Sequence, residues 1–191
     1  MIITPQTELD AVNEILSVIG SMPIDTLDGQ QDVDTINAQR VLQSVSREVQ
    51  SRGWYFNTLT TYTLTPDTYT GLIPYPNSYL KVFADGYQLV RKSGYFFDLI
   101  TDTNVFSSGL TVDELVKEIE FENLPEAFKY YITVRASRIF QARYLTSQEI
   151  DQHLQIEENN AYTQIIDFDL QSANYNIFDD DQTISQNIQR S

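Results

Sequence analysis

The chain has 191 residues and a formal net charge of −15, from 12 Lys+Arg against 27 Asp+Glu. That balance argues against holding nucleic acid through phosphates or lying on an anionic membrane, because both need clustered basic charge. With no cysteine and one histidine, His153, disulfides, thiolate metal sites, cysteine nucleophiles and multi-histidine metal sites are excluded. Apolar residues make up 41% of the chain, with 12 Tyr and 10 Phe, a globular and aromatic-rich composition. No apolar run approaches the roughly 20 residues of a membrane span. The start, Met1-Ile2-Ile3-Thr4-Pro5, lacks the basic and apolar regions of a signal peptide.

The first predicted element is a helix in which Leu9, Val12, Ile15, Leu16 and Ile19 recur at helical spacing. Thr7 is a suitable N-cap, and Gly20 ends the helix because only glycine takes the left-handed conformation cheaply. Residues 21–32 read as a loop. A second helix is expected from Val33 to Arg52, with an apolar stripe of Ile36, Ala38, Val41, Leu42, Val45 and Val49 and a stop at Gly53.

From Trp54 the pattern becomes β-like, with turn signals every few residues. The short runs between them predict strands at Tyr79 to Ala84, Tyr87 to Arg91, Tyr95 to Leu99 and about Thr111 to Phe121. The whole reads as an antiparallel region of four to six strands joined by hairpins, Asp85-Gly86 being the clearest hairpin signal. Helical character returns at Leu124-Pro125-Glu126 and runs to Tyr144 through Phe128, Tyr131, Ile132, Arg135 and Ile139. Thr146-Ser147-Gln148-Glu149 is a capping-box pattern opening a fourth helix with Ile150, Leu154, Ala161, Ile165 and Phe168. The short break at Leu145 makes the last two helices antiparallel neighbours. Residues 174–191, rich in Asn and Gln, lack an amphipathic face and read as an extension that orders against a partner.

The expected architecture is therefore α+β: a four-helix bundle with an antiparallel β-sheet insertion between helices two and three, plus an extended C-terminal tail. The bundle takes residues 1–53 and 122–173, the β lobe residues 54–121, and the extension residues 174–191.

Chemistry is sparse. There is no phosphate-cradling glycine loop and no nucleophile elbow, and no cofactor is expected. His153 sits alone on a helix, which fits a surface residue better than a base. Glu118 and Glu120 alternate along a predicted strand at a spacing that a glycosidase pair can use, but in a chain with 27 acids a solvated strand face is the preferred reading. The triplet Asp179-Asp180-Asp181 lacks the order and closing Glu of a calcium loop. Arg135, Arg138 and Arg143 concentrate positive charge on helix three, to bind phosphate or, preferably, to pair with acids of the last helix or of a neighbouring subunit. Between Thr146 and Ser191 stand nine acids and one base, Arg190. Such a block solubilises, keeps DNA from sticking or docks on a basic partner.

Several segments together resemble tail tubular protein A, the head–tail adaptor or gatekeeper family of short-tailed podophages. They are Ala11-Val12-Asn13-Glu14-Ile15-Leu16-Ser17-Val18-Ile19-Gly20, Thr26-Leu27-Asp28-Gly29, Asn37-Ala38-Gln39-Arg40-Val41-Leu42 and Gln50-Ser51-Arg52-Gly53-Trp54-Tyr55-Phe56-Asn57. They continue with Ile73-Pro74, Tyr79-Leu80-Lys81-Val82, Arg91-Lys92-Ser93-Gly94-Tyr95-Phe96-Phe97-Asp98, Glu114-Leu115-Val116 and Leu124-Pro125-Glu126. The resemblance covers about residues 9–145, and Ser51-Arg52-Gly53-Trp54 is its sharpest part. It implies a non-enzymatic virion protein of the tail neck, assembled in the host cytoplasm. Twelve copies are expected to form a homo-oligomeric ring between the portal protein and the tail nozzle protein, through which DNA passes without specific binding and with no membrane involved. In such a ring Arg52, Trp54, Tyr95, Phe96, Arg135 and Arg138 are expected as subunit or nozzle anchors. Tyr175, Phe178, Ile184 and Ile188 are expected to meet the portal. On residues alone two other readings stay open: a tail-associated polysaccharide hydrolase using Glu118 and Glu120, and a monomeric acidic binding module.

Overall fold

In a computed structural model of the chain, residues 6–29, 31–144 and 147–172 are described. The extension at 174–191, with Tyr175, Phe178, Ile184, Ile188 and the Asp179 triplet, lies outside the described residues. The protein is α+β, with four helices and antiparallel sheets.

Helix α1 (Glu8–Ser17) starts where the Thr7 hydroxyl accepts the Asp10 amide while the Asp10 carboxylate accepts the Thr7 amide, a reciprocal cap. It ends before Gly20 at φ +76°, with the Ser21 amide donating back to the Leu16 carbonyl. Helix α2 (Val33–Gln50) is capped by Asp32, which accepts the Thr35 amide at 2.7 Å. Of its predicted stripe, Ala38, Val41, Leu42, Val45 and Val49 are buried, but Ile36 is exposed. The reason is angular: Ile36 lies on the side of the helix opposite Ala38, Leu42 and Val49.

Helix α3 (Glu126–Tyr144) is the central helix. It packs on α1, on α2 and on α4 (Gln148–Ser172). No residue from Ala127 to Gln141 is exposed, and even Lys129, Thr133, Ser137 and Gln141 are buried. Three of these residues find partners, and the Ser137 hydroxyl has none among the described residues. Lys129 pairs with Glu126, the Thr133 hydroxyl donates to the Lys129 carbonyl, and the Gln141 amide donates to the Ser147 carbonyl. Thr146 of the predicted capping box lies outside the described residues, and α4 begins one residue later than that box requires. The core of this lobe joins Val12, Ile15, Leu16, Leu42, Phe128 and Phe140, with Trp54, Ala161 and Ile165 closing it.

The β region differs from its prediction in its pairings. Strands β1 (Thr58–Leu64), β2 (Tyr79–Phe83) and β5 (Leu110–Lys117) form one antiparallel sheet in the order β1-β5-β2. Strands β3 (Leu89–Lys92) and β4 (Tyr95–Asp98) form a separate hairpin. The Asp85-Gly86 turn therefore makes no hairpin and connects strands of different sheets. A two-residue hairpin of the favoured kind needs positive φ at both central positions. Ser93 (+53°) and Gly94 (+83°) satisfy that between β3 and β4, whereas only Gly86 does so at the other turn. The last strand also stops at Lys117, and Phe121–Asn123 is a 3₁₀ turn. Glu118 and Glu120 thus stand in the connector beyond the strand and not on a strand face. Leu64, Ile73, Phe96, Leu110, Val112 and Leu115 form a second core, separate from the helical one.

Pairing of the first and last strands of the insertion, from Thr58↔Val116 to Leu64↔Leu110, sets its entry and exit side by side against the end of α2. Gly53, at φ +80°, is required there: a Cβ on it would meet Val116 Cγ2 at 3.1 Å and Thr58 Oγ1 at 3.2 Å.

Candidate interaction surfaces

The most constrained polar site lies where the lobes meet. Gln50 is fully buried; its side chain accepts the Ile119 amide at 2.7 Å and donates to the Ile119 carbonyl at 3.0 Å. Asn57 donates to the carbonyls of Gln50 and Lys117, each at 3.0 Å, and accepts the Trp54 amide at 2.8 Å. One residue from each side of the Gly53 break thus clamps both chain crossings. Outside this clasp, Arg47 pairs with Glu118 and donates to the Asn77 carbonyl at 2.6 Å. The cue in the sequence was two amides flanking a glycine stop, which on its own does not distinguish a clasp from a turn.

Glu118 and Glu120 border an open cleft of about 680 Å³ together with Arg40, Arg47, Ser78 and Phe121. The Glu118 carboxylate is engaged by Arg47, so the pair contributes a strut between α2 and the β lobe. His153 is exposed on α4. Among the described residues no group of His, Asp and Glu side chains is arranged to hold a metal ion, and no helix is long and apolar enough to cross a membrane.

The expected anchors divide into two sets. Trp54 and Phe96 are interior residues, which corrects the expectation that they form surface contacts. The Trp54 ring meets Phe128 edge-on at 4.9 Å, and its indole N–H donates to the Val49 carbonyl at 2.7 Å. Phe96 is fully buried against Tyr75 and Tyr79. Both lie at the centre of a core because a large ring there removes the most apolar area from water. Arg52 and Tyr95 remain exposed, with Arg52 donating to the Tyr162 hydroxyl at 2.6 Å across to α4.

Arg135 and Arg138 are engaged within the chain. Arg135 reaches Glu158 at 2.7 Å and Glu48 at 2.8 Å; Arg138 reaches Asp151 at 2.8 Å and Glu158 at 3.0 Å. The pairs with Asp151 and Glu158 fasten α4 to α3, as the preferred sequence reading has it, and Glu48 ties Arg135 to α2. Arg138 holds the Asp151 carboxyl below the ordinary carboxylate range. At the other edge of α4, Tyr130 donates to Glu157 at 2.6 Å, which pushes the Tyr130 hydroxyl up to about 12. Burial, aided by nearby Glu157, raises the Glu14 carboxyl above its ordinary value.

What remains outward is apolar at unusual places. Tyr69, Tyr87, Leu99, Ile100 and Val105 are exposed on the β lobe, Val33, Ile36 and Tyr144 at one end of the helical lobe, and Tyr55 and Leu170 at the other. Exposed apolar groups grouped with charge mark protein contacts more than small-molecule sites.

A model of the tail tubular protein family matches residues 9–175. The chain belongs to the tail tubular protein family. It is therefore a structural component of a phage tail, and the match takes in α4 as well as the segments that carry the resemblance. No curated protein matches the chain.

Proposed function

We infer that this tail tubular protein is the head-to-tail adaptor: a twelve-subunit ring that joins the portal protein to the tail nozzle protein and forms part of the DNA ejection channel. The observation that carries the reading is the family match over residues 9–175. The surface agrees with it physically. A ring subunit needs contacts on two lateral faces and on two axial ones, and both lobes carry exposed apolar groups. Helix α4 has six acids and no Lys or Arg, and twelve copies multiply a net charge of −15. An acidic channel wall repels phosphates, so that DNA slides through without being held.

Residues 174–191 supply the portal contact, with Tyr175, Phe178, Ile184 and Ile188 as apolar points. Tyr95 and Arg52 are exposed and contribute at the nozzle or between subunits. Mass measurement and negative-stain imaging, with and without portal protein, test the adaptor role: rings of twelve on portal support it, and failure to bind portal at any concentration refutes it. Deleting residues 174–191 should weaken portal binding and leave the circular dichroism spectrum intact; unchanged portal affinity removes the tail from the contact.

A further inference from the structure

Two surfaces at opposite ends of the helical lobe are complementary. The first is built by the outer stripe of α2 and the end of α3. Val33 is 71% exposed, Ile36 36% and Tyr144 39%, and the Asn37 amide donates to the Tyr144 hydroxyl at 2.8 Å, which ties the two helices into one patch. Arg40, one turn on from Ile36 along the same stripe, and Arg143, beside Tyr144, are exposed and have no carboxylate partner among the described residues. The nearby Asp32 is turned to cap α2 through the Thr35 amide.

The second surface is built by the end of α4 and the chain leaving α2. Tyr55 is 61% exposed, Leu170 53% and Phe168 37%. Asp169 accepts the Tyr55 amide at 2.8 Å, and Asp167 is exposed one turn before Leu170 on the outer side of α4. Arg52, in the chain leaving α2, is tied to Tyr162. Phe168 packs over Phe128, so the two patches lie about 24 Å apart along α3, taking 1.5 Å per residue from position 128 to 144.

One patch is apolar and cationic, the other apolar and anionic, and they share no residue. A contact between two different patches on copies of one chain is heterologous, and it repeats until it closes into a ring or runs on as a filament. We propose that the Val33–Ile36–Tyr144 patch with Arg40 and Arg143 docks on the Tyr55–Leu170 patch with Asp167 of a second copy of this chain. The inference rests on the ring reading above and names the lateral faces of that ring.

The absence of cysteine gives a clean test. Val33→Cys and Leu170→Cys variants of the full chain, each exposed and outside the cores, are treated with a short bis-maleimide singly, mixed one to one, and combined in one chain. The mixed pair should form cross-linked dimers several-fold faster than either variant alone and than a Tyr69→Cys control on the β lobe. The double variant should form a ladder beyond dimers. Arg40→Glu with Arg143→Glu should suppress the mixed dimer, and adding Asp167→Arg should restore part of it. Homodimers of either single variant, or a mixed pair no faster than the control, overturn the proposal. If portal binding occurs but the mixed pair does not cross-link, this inference falls and the adaptor reading stands. If mixed dimers form but portal is never bound, the reverse holds.

Discussion

The helical lobe and the β lobe are stabilised in different ways. The helical lobe is built on one helix buried on every side, and α1, α2 and α4 each contribute apolar residues to its core. The β lobe has a smaller core under two small sheets. Its loops are held by local caps: Asp98, 1% exposed, accepts the amides of Gln88, Ile100 and Thr101 and the Thr101 hydroxyl. Packing thus dominates one lobe and polar caps the other. The difference teaches that the insertion depends on its junction with the helices for its position, since its own core ends short of the clasp.

The largest effect that separates the lobes is expected in the helical core. Phe128→Ala removes a fully buried ring that Trp54, Phe56 and Phe168 all contact. It should cost about 3–5 kcal/mol, the range for aromatic truncation in cores, and denaturant unfolding followed by circular dichroism measures it. A loss below about 1 kcal/mol would mean that α3 is not the keystone of the lobe.

A smaller effect is expected at the clasp. Asn57→Ala leaves the Lys117 carbonyl and the Trp54 amide without their side-chain partner and the Gln50 carbonyl with the Gly53 amide alone, at about 2–4 kcal/mol for buried groups so orphaned. Its more informative signature is loss of cooperativity. Thermal unfolding of the wild type should be one transition. In the variant, the near-ultraviolet signal of the tyrosine-rich β lobe should separate from that of Trp54, which sits in the helical core, and from the helical signal at 222 nm. A single coincident transition in the variant would show that the lobes are coupled by something other than Asn57.

The lobes also differ in how much of them could be read in advance. The helices were legible because their signals are local: a cap at Thr7, stops at Gly20 and Gly53, and stripes such as Val41-Leu42-Val45-Val49 with 3.6-residue spacing. Turns in the β lobe were legible for the same reason. Strand partners were not, because β1 meets β5 across more than forty residues of chain, and only burial of Leu64, Leu110 and Leu115 together decides that pairing. Polar α3 residues were misleading in a different way. Lys129 and Ser137 have the residue types of a solvent face, yet both are buried within the helical lobe. Trp54 and Phe96 read as surface anchors in the sequence because an aromatic residue carries no mark of which side of the surface it occupies. The acidic candidate Glu118 was placed on a strand because period-2 alternation continues past the point where β5 ends.

Fastening of α4 is expected to be weaker than either effect. Glu158→Ala deletes a side chain that receives both Arg135 and Arg138. The arginine side chains are each 30% exposed, so the loss should fall at about 1–3 kcal/mol, between an exposed pair and a fully buried one. Hydrogen exchange should rise in α4 and leave the β lobe unchanged. Equal protection in α4 would show that Ala161 and Ile165 alone hold it down.

The smallest expected effect turns on pH and has opposite signs at different sites. Asp98 and Asp151 have carboxyls held below the ordinary range, Asp98 by the Thr101 hydroxyl and backbone amides, Asp151 by Arg138. Their stabilisation is present above the unfolded value and is lost as pH falls through the lowered one. Glu14 is raised, by burial first and by Glu157 second. The folded state therefore binds its proton more tightly than the unfolded chain. That contribution is full below the ordinary glutamate value and is lost as pH rises through the raised one. Glu14→Gln preserves a partner for Gln6 and removes the charge beside Glu157. The variant should exceed wild type at neutral pH by less than about 1 kcal/mol, the scale of a part-exposed charge contact, and the gap should close on acidification. A gap that widens toward low pH would mean that Glu14 is stabilising as a carboxylate. The contact of α1 with α4 would then belong with the capped carboxylates of the β lobe and not opposite to them.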